Sequence, residues 1–318
     1  MKRLILAVLA CACTFAGGAH ASCGSAFCMV NTSWNTQGVW TEPGVRFDLR
    51  FEYIDQDQPM SGDSKVGVGE IRQHHDEVRT INRNWLASVD YTFNADWGVS
   101  ATLPLIDRDH THIHNHMGAQ LQESWSFREL GDARVLGRRQ WHAESPASER
   151  LDYYGVNFGL KLPTGKHDVR NGEGALAERS LQPGSGTTDL LLGGYFTRVL
   201  GSGSSWFADG LVQSPLDERE QYQPGARVSL DLGYRREFSA ALAGMLQLNL
   251  LFKDRDKGAE AEPADSGGTF VYVSPGVSYT AGKSVQLYTF LQLPLYQYVN
   301  GVQLVADWAA VAGVSTRF

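Results

Sequence analysis

From Gly44 onward, apolar and polar residues alternate with a period of two. Val45, Phe47, Leu49, Phe51 and Tyr53 interleave with Arg46, Asp48, Arg50 and Glu52; Trp85, Ala87, Val89, Tyr91 and Phe93 interleave with Asn84, Ser88, Asp90 and Thr92. A helix cannot generate that order, whereas a strand with one apolar and one polar face does. Further strands are predicted at about 99–107, 131–142, 151–162, 187–199, 205–213, 225–238, 242–253, 269–280, 285–296 and 302–318, twelve in all. Arg138 and Arg139 interrupt the alternation in the fourth.

The connections sort by length. Asn94–Gly98, Ala143–Glu149, Leu200–Ser204, Ser239–Ala241 and Ala281–Ser284 are short. Asp55–Val78, Arg108–Leu130, Pro163–Gly186, Ser214–Pro224 and Asp254–Gly268 are long and polar, and only the last connection on that side, Tyr298–Gly301, is short. Short turns at one end and long loops at the other are expected of an outer-membrane barrel, with short turns in the periplasm and long loops facing outward. The expected fold is therefore all-β: a transmembrane antiparallel up-and-down β-barrel of about twelve strands over residues 44–318. A closed sheet suits hydrocarbon because it pairs every backbone amide without leaving an edge. The last strand puts Trp308, Ala310, Ala312, Val314, Thr316 and the terminal Phe318 on one face. That ending resembles the signal by which the barrel-assembly machinery recognises its clients. Trp85, Tyr91, Phe93, Tyr153, Tyr154, Tyr279, Tyr288, Tyr296 and Trp308 are candidates for the interfacial aromatic girdles.

The N-terminus reads as a targeting segment. Lys2 and Arg3 precede an apolar stretch, Leu4 to Phe15, and small residues end in Ala19-His20-Ala21. This is a secretory signal peptide over 1–21 with an A-x-A cleavage site. Residues 22–43 lack alternation and are expected to be a periplasmic segment or a plug inside the barrel. They carry Cys23 and Cys28, an exported pair expected to form a small-loop disulfide. No other apolar run reaches the roughly 18 residues a membrane helix needs. The net charge of −7 argues against a nucleic-acid partner bound by phosphate neutralisation. The expected surroundings are outer-membrane lipid and lipopolysaccharide of a Gram-negative cell.

Two kinds of candidate chemistry stand out. The polar strand faces place Arg50, Glu52, Asp90, Lys161, Asp231 and Asp307 in the lumen, with mixed signs that favour internal ion pairs. A twelve-strand barrel lies between the filled eight-strand and the open sixteen-strand kinds, so the passage should be narrow or gated. The second is a concentration of histidine in the outward connections: His74, His75, His110, His112, His114, His116 and His167. His110, His112, His114 and His116 occupy alternate positions, which in an extended chain share one side at roughly 6–7 Å spacing. Neutral imidazoles suit zinc, copper or nickel, with Asp76, Asp107 and Asp109 as further oxygen ligands. No cofactor is otherwise required.

Proline punctuates three strand ends: Thr102-Leu103-Pro104-Leu105, Lys161-Leu162-Pro163-Thr164-Gly165-Lys166 and Gln292-Leu293-Pro294-Leu295-Tyr296-Gln297. Such prolines are tolerated where ladder pairing ends. Gly159-Leu-Lys-Leu-Pro-Thr-Gly165, Leu181-Gln-Pro-Gly-Ser-Gly186 and Gln292-Leu-Pro-Leu-Tyr-Gln297 together resemble the family of outer-membrane transporters named after the meta-pathway of phenol degradation. The resemblance spans roughly Gly44 to Phe318. It implies a barrel similar to those that pass hydrophobic or aromatic small molecules, and it supplies no set of functional residues. The expected function is an outer-membrane channel or transporter for a small substrate, either a hydrophobic or aromatic compound or a metal ion. A non-transporting surface metal-binding or structural outer-membrane protein is the alternative. An enzyme is not expected, because the sequence has no G-x-S-x-G elbow, no H-E-x-x-H and no Walker loop. The two substrate classes differ in what each requires: an apolar pocket under the loops, or histidine and carboxylate reaching inward.

Overall fold

The computed structural model describes residues 30–33, 36, 42–71, 76–116, 119–145, 150–201, 203–282 and 284–318. The expected signal peptide, the cysteines Cys23 and Cys28, and His74 and His75 lie outside these residues.

Thirteen strands form one antiparallel sheet: β1 Gly44–Gly62, β2 Ser64–Lys65, β3 Asp76–Thr92, β4 Trp97–His116, β5 Ala119–Leu130, β6 Arg134–Ser145, β7 Arg150–Lys161, β8 Asp189–Leu200, β9 Ser204–Pro215, β10 Arg227–Glu237, β11 Leu242–Lys253, β12 Gly268–Ala281 and β13 Val285–Arg317. β1 pairs with β3, β3 with β4, β4 with β6 and each later strand with the next, and β13 pairs with β1 to close the barrel. β2 and β5 stand outside the closed ring, since β2 pairs only β1 and β5 only β4. β13 turns back on itself at Gly301 (φ 62°): residues 285–299 run along β12 and residues 299–317 along β1. The ring of eleven elements thus makes twelve strand passes, as the alternation predicts.

The alternation is realised as an inside and an outside. Along β1, Phe47 and Leu49 are 47% and 44% exposed on the outer face, while Arg46, Asp48 and Glu52 are buried inside. Because the ladders satisfy the backbone, the outer side chains can be wholly apolar, and such a surface fits hydrocarbon. Tyr91, Phe93, Trp97, Trp141, Tyr154, Trp206, Tyr279 and Phe318 face outward at the short-turn end. Trp85, Tyr296, Tyr298 and Trp308 do so nearer the other end. Tyr153 and Tyr288, two of the residues expected in the girdles, point inward instead and are buried.

The long polar connections differ most from expectation. Most of Asp55–Val78 and Arg108–Leu130 is strand: β1 and β3 extend into the first, and β4 and β5 form a hairpin in the second. β1, β3 and β4 are 19, 17 and 20 residues long, whereas about 9–11 suffice to cross a bilayer. They rise as a wall above the hydrocarbon. There both faces meet water or polar protein, so the apolar half of the pattern disappears while the ladder continues. Pro163–Gly186 is a true non-strand segment, but it folds into the barrel mouth: Val169, Ala177, Leu181 and Gln182 are buried.

Gly301 illustrates how tightly the last hairpin is built. A Cβ there would lie 2.1 Å from Asp265 Oδ1, the atom that accepts the Val302 amide at 2.8 Å. Gly301→Ala is expected to cost about 1–3 kcal/mol through left-handed strain and loss of this contact. Guanidinium unfolding in detergent, followed by tryptophan fluorescence, would read the loss; a midpoint equal to that of the parent would refute it.

Candidate functional site

The lumen is built from the inward residues of the alternating strands. A cavity of about 510 Å³ is lined by Arg50, Glu52, Arg134, Asp189, Arg227 and Asp231, among others. Charges are paired along the wall: Arg50 to Glu52 at 2.8 Å, Arg46 to Asp48 at 3.4 Å and to Asp90 at 3.7 Å. Asn249 donates to Asp231 at 2.7 Å and the Tyr288 hydroxyl to Asp48 at 3.0 Å. Arg134 lies near Arg50 and Arg227 and near the carboxylates of Asp189 and Glu52.

Near the short-turn end, Val30 to Ser33 sit inside the barrel. Val30 packs with Met245, Tyr288, Phe290 and Val311. The Asn31 amide side chain donates to Asp231 at 3.0 Å, its backbone exchanges bonds with the Gln247 side chain, and Arg50 donates to the Thr32 hydroxyl at 2.6 Å. These four residues thus occupy part of the lumen cavity.

At the other end, the two glycine motifs meet. A Cβ on Gly165 would lie 2.8 Å from Gly184 Cα, and one on Gly184 would lie 2.7 Å from Gly165 Cα, so the two backbones touch. Asp132, on the short break between β5 and β6, ties them together. Its carboxylate accepts the Gly165 amide at 3.0 Å, the Ser185 amide at 3.0 Å and the Lys161 ammonium at 2.7 Å. Lys161 also reaches Asp189 at 3.2 Å and the Thr187 carbonyl at 2.9 Å, and all three charged groups are buried. This latch fixes both ends of segment 163–186. Within it, Gln182 bonds Val169 and Ala177, and Arg179 bonds His167, Ser185 and Glu220 while lying over the Tyr222 ring. Burial and the nearby Asp256 push the Tyr222 hydroxyl well above its ordinary range, so it stays protonated and donates to Asp256 at 3.1 Å.

Beside this segment lies the histidine cluster. Even positions of β4 face inward, so Arg108, His110 and His112 project into the mouth and are buried. Register sets their neighbours. His110 stands between Thr80 on β3 and Trp125 on β5; His112 stands between Glu77 and Glu123. A register shift between Glu77 and Arg79 leaves Asp76 and Glu77 both buried, as a bulge re-aims a side chain. Ligand atoms of Glu77, His110 and His112 all lie within 4.8 Å of one another. His110 Nε2 is 3.2 Å from His112 Nδ1 and 3.7 Å from Glu77 Oε2. Glu178, on the in-folded segment, brings Oε1 to 3.8 Å from His112 Nδ1.

The other expected ligands distribute differently. His114 and His116 continue β4, and their side chains lie outside the description. His167 pairs with Glu220 at 3.6 Å, away from the cluster. Asp107 and Asp109 are at odd positions and turn outward to Arg128 and Arg83. Asp76 accepts the Gly69 amide. The oxygen donors beside His110 and His112 therefore come from other elements, Glu77 and Glu178. Asp307, expected in the lumen, is half exposed and pairs with Lys65 at 2.7 Å. The shift that sets Ile54 against Ala309 and Gln56 against Ala306 inserts an extra residue and reverses its face. Arg50, Glu52, Asp90, Lys161 and Asp231 all face inward.

No protein-family model matches the sequence, and no curated protein does. Solved structures do. An outer membrane channel from Pseudomonas putida F1 aligns over 91% of this chain and 100% of its own, with a TM-score of 0.69 and 11% identity. The β domain of the Bordetella autotransporter BrkA (87% and 100% covered, 10% identity) and the monoaromatic hydrocarbon channel CymD (89% and 90% covered, 9% identity) reach TM-scores of 0.42 and 0.41. At these identities the likeness is one of fold.

Proposed function

We propose that the chain is an outer-membrane channel that admits small polar solutes through a narrow, partly plugged lumen. The observation that carries this reading is the cavity of about 510 Å³, in whose lining Arg50, Glu52, Arg134, Asp189, Arg227 and Asp231 stand among apolar side chains such as Ile106 and Leu211. A hydrophobic or aromatic substrate, which the family resemblance implies, would need the desolvated apolar pocket that such ligands prefer. The buried charges spread through this lining weigh against it. A metal ion is the second reading for the substrate, favoured by His110, His112 and Glu77 at the mouth. The apolar outer face and the terminal Phe318 fit insertion into outer-membrane lipid beside lipopolysaccharide by the assembly machinery.

Reconstitution into liposomes tests the reading. Swelling in arabinose or glycine, with little swelling in a trisaccharide, is the expected result. Impermeability to both, with no conductance in planar bilayers, would instead make this a non-transporting surface protein.

A further inference from the structure

The geometry points to a resident divalent metal centre formed by His110, His112, Glu77 and Glu178, which staples the in-folded segment 163–186 to the barrel wall. The centre stands whether or not solutes pass through the lumen; its effect on conductance rests on the channel reading above.

Three features of the donor set carry this. The first is spacing. Two nitrogen ligands about 2.0–2.1 Å from a tetrahedral zinc ion stand about 3.3 Å apart. His110 Nε2 and His112 Nδ1 are 3.2 Å apart. The second is the hydrogen bonding of the outer ring nitrogens. His112 Nε2 lies 3.1 Å from Glu123 Oε2; a carboxylate accepts, so that nitrogen carries the proton and Nδ1 presents a lone pair. His110 Nδ1 lies 2.9 Å from the Thr80 hydroxyl, which can donate or accept. Each imidazole is thus oriented from behind by a carboxylate or hydroxyl, as metal-binding histidines are. The third is the convergence of Glu77 Oε2 and Glu178 Oε1 on the same two nitrogens, at 3.7 and 3.8 Å. A set of two imidazoles and two carboxylates suits zinc.

Without metal, one proton on His110 Nε2 bridges to His112 Nδ1, and Thr80 donates to His110 Nδ1. A cation replaces that single proton. That proton moves through solvent from His110 Nε2 to Nδ1, where it is donated to Thr80, so the imidazole stays neutral and no net proton is released. Glu77, His110 and His112 belong to the rigid wall. Glu178 belongs to the segment whose Ala177 and Leu181 pack on Trp125, a ring that also contacts both histidines. Metal therefore adds a tie across the mouth to the Lys161 latch at the base, the Trp125 packing and the bonds that Arg108 and Trp125 donate to the Leu181 and Ala175 carbonyls.

The test uses zinc and the full barrel in detergent. Calorimetry should give one zinc per chain, with a binding heat that does not change between buffers of different ionisation enthalpy. His112→Gln should abolish this binding, and Glu178→Gln should weaken it at least tenfold. Both variants should keep the parent's heat-modifiable gel migration. Zinc should slow tryptic cleavage after the exposed Arg170 in the parent but not in Glu178→Gln, a readout that needs no transport. In bilayers, zinc should lower the conductance of the parent alone. Absence of stoichiometric zinc binding, or equal affinity in the parent and both variants, would overturn the centre. Proteolysis unaffected by bound zinc would overturn the staple.

Discussion

Lys161→Met should release the in-folded segment and destabilise the barrel by about 3–5 kcal/mol, the usual consequence of leaving buried carboxylates without their cation. Lys161 touches Asp132 at 2.7 Å and Asp189 at 3.2 Å, and it also bonds Ser185 and the Thr187 carbonyl. After the substitution Asp132 keeps the amides of Gly165 and Ser185, and Asp189 keeps Thr187 and Gln213. These bonds do not replace the positive charge. Adding Asp189→Asn to Lys161→Met should recover part of the loss, because it removes one of the two uncompensated charges. Guanidinium unfolding gives the stabilities, and bilayer recordings should show larger, noisier openings. A loss below about 1 kcal/mol, the level of an exposed pair, would mean that the latch is ornamental.

Deletion of residues 22–39 should raise single-channel conductance severalfold. Val30 fills a niche of Met245, Tyr288, Phe290 and Val311, and Asn31 occupies Asp231 and Gln247. Losing them uncovers polar wall that water can fill. The barrel itself should persist, because its ladders do not involve these residues. Its gel migration checks that point. Conductance equal to that of the parent would show that the segment leaves the lumen in the membrane and acts as a tail.

The barrel was legible in the sequence wherever lipid imposes its demand. Val45 to Tyr53 and Trp85 to Phe93 alternate because one face of each must be apolar, and the pattern locates the short-turn ends of their strands, Gly44 and Thr92, to within one residue. Above the lipid that demand lapses. Asp107 and Asp109 face water while Arg108 and His110 face polar protein, so a strand there has no hydropathic signature and reads as loop. The alternate histidines nevertheless place His110 and His112 on one side, which holds inside the wall. Their partners could not be read. Glu77 depends on a register shift, Glu178 on the inward fold of a loop, and Asp132 on the meeting of Gly165 and Ser185, which lie 33 and 53 residues further along the chain. Lys161 was found as an inward charge but not as a latch. Asp307 was misplaced because a bulge breaks the parity on which counting relies.

The seam has a consequence for how the molecule comes into being. Val45 and Phe318 exchange backbone hydrogen bonds, and β1 meets its second neighbour only in the closing arm of β13. The first strand to leave the ribosome must wait with a bare edge until the last residues arrive. Loop closure over almost the whole polypeptide is slow, and an uncovered edge invites wrong partners in the meantime. Biogenesis should therefore depend on a holdase that shields β1, and truncation of the final few residues should leave an open, aggregating ribbon rather than a smaller cylinder.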